Sequence, residues 1–505
     1  MGLLEKSPPL REGINMRSPG LGVPPEATNP VVQVIHRNEK DIRRSCGTGQ
    51  RGEKPDRNRD ENKTHWNSGC IRFLALARKS ILHADPASCH PLSPEKEPME
   101  VHQVHQKLIS NPLSDLESQV HRELDSLGLP PPQGEVAITA GSRGIDNIVA
   151  ITRAAGDWLR KNGAIPFLTP CMGSHNGATA EGQRSMINSL GLTEEATGME
   201  IRSSMEVVQI GEVGTGKVWM DRHCFEASGV LVLNRIKLHT CFSGPVQSGL
   251  TKMMVVGMGK IQSAETFHSA PTPTMKDMLL EMGECVIGSG KIYAGLGLLE
   301  DGFDRTAEIH AVPPGEILER EPALLEKHRS YFPSLPVDDL NVLVVNEIGK
   351  TFSGTGMDTN VIGYRGVNGY EDLTRPRIQA IAALALSEAS QGNAIGVGLA
   401  DFITRRLRNS IDEQKTFTNV FTTGDMRRMA IPCTLTNEQE VIHRMSERYG
   451  EQRWMFIPNT LHLETIFVSA DLVGELRDNE KCEIIPGTTL LDFDSTGRHR
   501  LNFNR

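Results

Sequence analysis

Residues 134–163 read GEVAITAGSRGIDNIVAITRAAGDWLRKNG. GEVAITAGS reads as a buried strand that ends in a Gly/Ser turn. IDNIVAITRAAGDWLRKNG then spaces its apolar residues like an amphipathic helix, and Gly163 stops it. Strand, small-residue turn and helix together form the repeating unit of an α/β fold.

The same grammar continues on either side. AIPFLTPCMG reads as a second strand, GVLVLNRIKLH as a third and LNVLVVNEIG (Leu340–Gly349) as a fourth. The third is a run of β-branched and Leu residues of the kind buried in parallel sheets. RIQAIAALALSEAS reads as a helix, and so does VHQVHQKLISNPLSDLESQVHREL near the start of the globular part. Strands alternating with helices imply mainly parallel sheets with crossovers. We expect two α/β domains, 99–303 and 336–505, with an active-site cleft between them. Residues 304–335, which hold most of the proline- and charge-bearing stretch AVPPGEILEREPALLEKHRSYFPSLP, are expected to link the two.

The first 98 residues differ. They hold 11 of the 29 prolines and 16 basic against 12 acidic residues. RNEKDIRRSCGTGQRGEKPDRNRDENK carries mixed charge and almost no apolar periodicity, so a disordered extension is expected. Only Ile71–His83 could form a short helix, and the chain reads as globular from Met99 onward.

Composition narrows the function. Of 505 residues 38% are hydrophobic and 23% charged, and the net charge is −9. A nucleic-acid binder needs a dominant basic face, which this balance argues against. No stretch approaches a spanning length of apolar residues, so no membrane helix is expected. MGLLEKSPPLREG lacks an apolar signal core, and Lys6 stands where N-myristoylation needs Ser or Thr. Nine scattered cysteines without a CxxC pair fit a reducing cytoplasm better than a disulfide scaffold or a structural zinc site.

Several motifs could carry chemistry. GEVGTGKV (Gly211–Val218) fits GxxxxGK, but Val218 replaces the magnesium-binding Ser or Thr. Its flanks MEVVQI and VWMDR read as two strands, so a hairpin turn is the better reading. TAGSRG (Thr139–Gly144) ends a strand and precedes a helix, where α/β sheets bind ligands. Arg143 could there hold a carboxylate, or be a surface Arg in a tight turn. CMGSHNG (Cys171–Gly177) puts His175 in a Gly-rich loop, suited to a general base, although a lone loop histidine more often bonds backbone. RIKLHTCFSGPVQSGLTKMMVVGMGKIQSAETFH (Arg235–His268) concentrates His239, Lys252 and His268 after a buried strand. Lysine could form a covalent adduct and histidine could ligate a transition metal, yet no HxH, HxxxH or HExxH spacing builds an all-protein site.

The order of Arg143 in a strand-end turn, His175 in GSH, His239 in KLH, then Lys252 and His268 resembles the nickel-dependent lactate racemase family. The resemblance spans most of Met99–Arg505 and is best over Val136–His268, and the Lys252–His268 separation equals that of the family's cofactor segment. It implies a nickel-pincer nucleotide, a pyridinium-3,5-bisthiocarboxylic acid mononucleotide carrying nickel, held by Lys252 through a thioamide with His268 ligating the metal. It further implies His175 and His239 as the proton-transfer pair and Arg143 on the substrate carboxylate. A second-domain cation would assist, either Arg365 in DTNVIGYRG or Lys350 in NEIGKTFSGTGMDTN. Cofactor-biosynthesis proteins would be partners, and a small 2-hydroxy acid the substrate. The chain departs from the family at Ala140, where an Asp is typical, in GSHN for GTHR, and in extra residues between His239 and Lys252. An epimerase of a larger hydroxy or sugar acid is the alternative. A non-catalytic carboxylate-binding homologue is another, against which the paired retention of Lys252 and His268 argues.

Overall fold

The computed structural model describes residues 98–367 and 370–503. The extension expected over the first 98 residues, with its Ile71–His83 helix, lies outside the described residues except for Pro98. Sixteen strands are described: β1 Glu100–Gln106, β2 Gly134–Ala140, β3 Ala164–Pro170, β4 Val207–Val213, β5 Gly216–Asp221, β6 Gly229–Arg235, β7 Ile292–Glu300, β8 Thr306–Val312, β9 Asp339–Ile348, β10 Arg377–Leu386, β11 Phe402–Thr404, β12 Cys433–Leu435, β13 Trp454–Ile457, β14 Thr465–Ser469, β15 Cys482–Ile484 and β16 Thr489–Leu490.

They form two principal sheets and one hairpin. The first sheet runs β3-β2-β6-β7-β8, parallel except for the last pair. The second runs β12-β11-β10-β9-β13-β14-β1-β15, with β16 also on β1. Its β12 to β13 half is parallel, and the pairs involving β14 and β1 are antiparallel. β4 and β5 form the antiparallel hairpin expected around GEVGTGKV, which excludes a phosphate loop there. Each sheet is buried on both faces. Alternate residues of β2 and β6 divide between two cores, Ala137, Val230 and Val232 on one side and Val136, Ile138, Leu231 and Leu233 on the other. This explains their continuous apolar sequences.

Three expectations change. RIQAIAALAL is β10 and not a helix: it pairs with β9 from Arg377↔Asp339 to Leu386↔Ile348 and with β11 at Ala382 and Ala383. Its alanines favour helix intrinsically, but Ala380 and Ala382 fill one core and Ile381 and Ala383 the other, so tertiary packing decides. VHQVHQ is likewise a strand, β1, and the helix begins only at Leu116, capped by the Asp115 side chain on the Ser118 N–H. Finally, residues 304–335 are not a bare connection. They hold β8, antiparallel to β7, and the helix Ile317–Tyr331.

This topology positions the loops that matter. β2, β3, β6 and β9 all deliver their chains from carboxyl ends, and β2 lies between β3 and β6, so successive connections leave it in opposite directions. The crevice at such a reversal is where α/β sheets bind ligands. Among the described residues no helix is long and apolar enough to cross a membrane.

β1 joins β14 to β15 and buries Val101 and Val104 completely. A chain beginning at Met99 should therefore keep the melting temperature of the full chain. One beginning at Lys107 should lose at least ~3 kcal/mol, the transfer value of two buried valines. Thermal and urea unfolding of the two truncations check this.

Candidate active site

Arg143 and His175 stand on neighbouring loops. β2 ends at Ala140 and the turn Gly141–Gly144 follows, while β3 ends at Pro170 and leads to the His175 loop. Ser142 Oγ lies 2.5 Å from His175 Nδ1, which fixes the ring and leaves Nε2 for another partner. Asn176, Gly177 and Ala178 all adopt positive φ, a sharp backbone reversal directly after the histidine. Gln183 secures the loop by donating to Gly173 O at 2.8 Å, and Gly173 N donates to Gly257 O at 3.2 Å. A Cβ on Gly257 would lie 2.8 Å from Cys171 O, so only glycine allows this approach.

β6 leads into the loop bearing Lys237 and His239. Lys237 and Ser248 exchange backbone hydrogen bonds and close it into a compact excursion. Within it Gln247 Oε1 accepts the His239 N–H at 2.7 Å, the Cys241 N–H donates to His239 Nδ1 at 3.1 Å, and Phe242 packs on the ring at 4.3 Å. Lys252 ends the short helix Leu250–Lys252, and its Nζ lies 2.6 Å from His239 Nε2. The chain then widens into a π-helical turn, Met253–Gly257, a form concentrated at functional sites. His268 lies in the last turn of the helix Lys260–Ser269, edge-on to Phe267, whose ring in turn meets Phe242.

The second sheet supplies Lys350, just after β9. Its Nζ donates to Asn419 Oδ1 at 2.9 Å. Gly354, on the same loop, faces the other sheet's Arg143: a Cβ there would lie 3.1 Å from the Arg143 Nη2. The structure thus brings Arg143, His175, His239, Lys252, His268 and Lys350 around one cleft. Arg365 is engaged differently. It is buried, donates to Ser243 Oγ at 2.5 Å and stacks over Tyr370 at 5.0 Å. It braces the His239 loop.

Burial and mutual repulsion keep the site's bases neutral. His175 is lowered to about 4 by burial, then by Arg143, Lys252, Lys350 and His268. Both His175 and Arg143 keep exposed surface in the cleft, so water softens this repulsion. His239 is pushed well below the usual range by burial, with Lys252 and His268 next. His268 is lowered to about 4 by burial and by Lys252. Lys237, Lys252 and Lys350 each fall to about 8, chiefly through burial. Of the acids near Lys237, Asp358 accepts the Asn360 N–H and side-chain amide and Glu300 is paired with Arg235. The cleft is therefore cationic and suited to anionic ligands.

Among the described residues no group of three or more His, Cys, Asp or Glu could hold a metal by itself. One neutral histidine, His268, near a lysine of lowered basicity fits a metal group that brings most of its own donors.

Four residues escaped the sequence reading. Lys237 lay in the quoted RIKLH without a pattern to mark it. Arg428, wholly buried, donates to Thr240 O and Cys241 Sγ across the cleft. Lys260, also wholly buried, contacts Asp221 at 3.0 Å and donates to Pro170 O, tying the end of β3 to β5. Glu321 is buried behind Thr251, accepting its N–H at 2.8 Å and its hydroxyl at 2.6 Å. None of these positions carries a sequence signal; the contacts named here for Arg428, Lys260 and Glu321 are with residues distant in the chain.

No family model and no curated protein matches the sequence. Two solved structures are similar in outline. A Thermotoga maritima protein shares 11% identity at TM-score 0.44 over 70% of this chain and 98% of its own. The lactate racemase apoprotein of Thermoanaerobacterium thermosaccharolyticum shares 14% identity at TM-score 0.39 over 76% and 96%.

Burial raises the Glu321 carboxyl to about 7. Between the ordinary carboxylate range and that value the folded chain binds the extra proton, so this group's contribution to stability falls as pH rises through the window. Glu321→Gln keeps an acceptor for Thr251 and cannot ionise. It should match the parent near pH 5 and exceed its stability by on the order of 3 kcal/mol above pH 8. Chemical denaturation at both pH values checks this; equal destabilisation at both would contradict it. Breaking the interior pair with Asp221→Asn should cost ~3–5 kcal/mol, measured the same way.

Proposed function

We propose that the chain is a racemase or epimerase of a 2-hydroxy acid that uses a nickel-pincer nucleotide. The observation that carries this reading is the convergence of Arg143, His175, His239, Lys252 and His268 on one cationic cleft. The nucleotide would be held covalently by Lys252, with His268 as the nickel's protein ligand. When bound, that group supplies a hydride acceptor and donor. Inverting a 2-hydroxy acid by removing its α-proton is difficult beside a carboxylate, whereas a planar 2-keto acid can accept hydride on either face.

The protein's own part is binding and proton transfer. Arg143 offers two parallel donors to the substrate carboxylate, and Lys350 adds a second cation from the other sheet. His175 is neutral and held by a hydroxyl that can either donate or accept, so Ser142 supports both ring tautomers and lets His175 serve as base or acid. His239 would do the same for the opposite enantiomer. The charge of a bound anion would raise both imidazoles toward working pH, where proton transfer is most effective. Walls from both sheets would limit water around the keto acid. The cofactor's supply requires biosynthesis proteins, and we place the reaction in the cytoplasm.

His175→Ala and His239→Ala should each lower turnover by roughly 10²–10⁴-fold in both directions, because every inversion uses both groups. Arg143→Met should mainly raise KM. A 2-deuterated hydroxy acid should yield its enantiomer with the label retained. Exchange of that label with solvent would point to proton abstraction and remove the hydride reading. A histidine variant with normal turnover in both directions would remove that residue from the mechanism.

A further inference from the structure

The two hydrogen bonds on the His239 ring fix more than its position. Nδ1 accepts the Cys241 N–H at 3.1 Å, so it carries no proton. A neutral imidazole with Nδ1 free has its proton on Nε2, and Nε2 faces Lys252 Nζ at 2.6 Å. Two donors cannot face each other there. Lys252 Nζ must offer its lone pair, which an ammonium lacks.

We propose that His239 favours the uncharged amine form of Lys252, a nucleophile for an activated acyl group, and that acylation of Lys252 is what releases the His239 ring for proton transfer. This rests on the reading of Lys252 as the covalent anchor and adds how the anchor is prepared and what its formation does. The surroundings agree. The positive neighbours facing Lys252 are Lys237 and Arg143, the histidines His239, His268 and His175 are all depressed, and Cys241 alone acts to raise the lysine. Glu321 lies behind Thr251, whose N–H and hydroxyl its Oε2 accepts. The Phe267 ring is 6.0 Å from Nζ.

The chemistry balances without a further reagent. With a thioester, the amine nitrogen bonds to the carbonyl carbon and the C–S bond breaks. The thiolate leaves with the electron pair and takes the nitrogen's surplus proton, giving an amide and a thiol. With a thiocarboxylic acid the nitrogen bonds to the corresponding carbon, the C–O bond breaks instead, and the oxygen leaves as water with the acid's proton and one from nitrogen, giving a thioamide. In either product the nitrogen lone pair is delocalised and no longer accepts a hydrogen bond. Nε2–H then loses its acceptor, and the ring can turn to a hydroxyl in the cleft. Before acylation His239 is a positioning residue; afterwards the ring can leave the Cys241 N–H, carry its proton on Nδ1 and present the Nε2 lone pair as a base.

The test is acetylation of the purified chain by the acetyl thioester of N-acetylcysteamine, mapped by peptide mass. At pH 7.4 Lys252 should react about 10²-fold faster than the exposed Lys217 and Lys276, since an amine titrating near 8 is that much richer in free base than an ordinary lysine. In His239→Gln the Lys252 rate should fall at least about tenfold at pH 7.4 and converge with the parent near pH 10.5, where every lysine is largely deprotonated. A purely structural role would depress labelling at both pH values. Lys252 reacting no faster than Lys217 in the unaltered chain would overturn the proposal, as would an unchanged rate in His239→Gln. Fast labelling in a chain that carries no nickel adduct when isolated from its source would support the amine and remove the racemase.

Discussion

The loop His239–Ser243 springs from the first sheet but is held by the second, and the cleft depends on that clamp. Thr359 Oγ1 donates to Thr240 O at 2.7 Å and Asn360 Nδ2 to His239 O at 3.3 Å. Arg428 reaches Thr240 O and Cys241 Sγ, and Arg365 and Tyr370 grip Ser243. In each pair one partner sits after β9 and the other after β6; the Thr359, Asn360, Arg428 and Arg365 side chains donate, whereas the Tyr370 hydroxyl accepts the Ser243 N–H. Because its targets are the loop's backbone and the Cys241 and Ser243 side chains, the clamp sets the loop's path without occupying the His239 ring. It also brings Lys350 and Gly354 opposite Arg143, so the two sheets form one site.

The second organising constraint is charge. Arg143, Lys237 and Lys350 crowd a space whose nearby carboxylates, Glu300 and Asp358, are already engaged, while His175, His239 and His268 stay neutral. Such a cluster opposes its own assembly and is stabilised by a bound anion, which links ligand affinity to the basicity of the histidines. Glu321 sits outside this balance. Its buried carboxyl anchors the turn before Lys252, and a Cβ on Gly249 would collide with it.

Much of this was legible in the sequence, for definable reasons. β2, β3, β6 and β9 show as apolar runs because both faces of their sheets are covered. Arg143, His175, His239 and Lys350 show because they closely follow those strands in loops, whereas Lys252 and His268 lie on helices and are marked by their concentration in one segment. What misled was propensity judged without neighbours. The alanines of β10 suit a helix until β9 and β11 claim their backbone, and VHQVHQ has no strand-like partner nearer than β14. The helix with Pro322 looked like a linker because its apolar face meets the first sheet's core only in three dimensions. Arg365 is one of two candidates, with Lys350, for the second-domain cation that the family resemblance implies. Its side chain instead carries the clamp, as does that of Arg428, and nothing local could have distinguished the two roles from that of Lys350.

The central claim is that Lys252 anchors a nickel-bearing group in this cleft. The direct measurement is the mass of the Lys252 peptide, with bound nickel, in protein isolated from its natural source. The account predicts an adduct on Lys252 that disappears in Lys252→Ala and Lys252→Arg, together with one nickel per chain that His268→Ala loses. An unmodified Lys252 in active protein, or full activity and nickel content in Lys252→Ala, would contradict it.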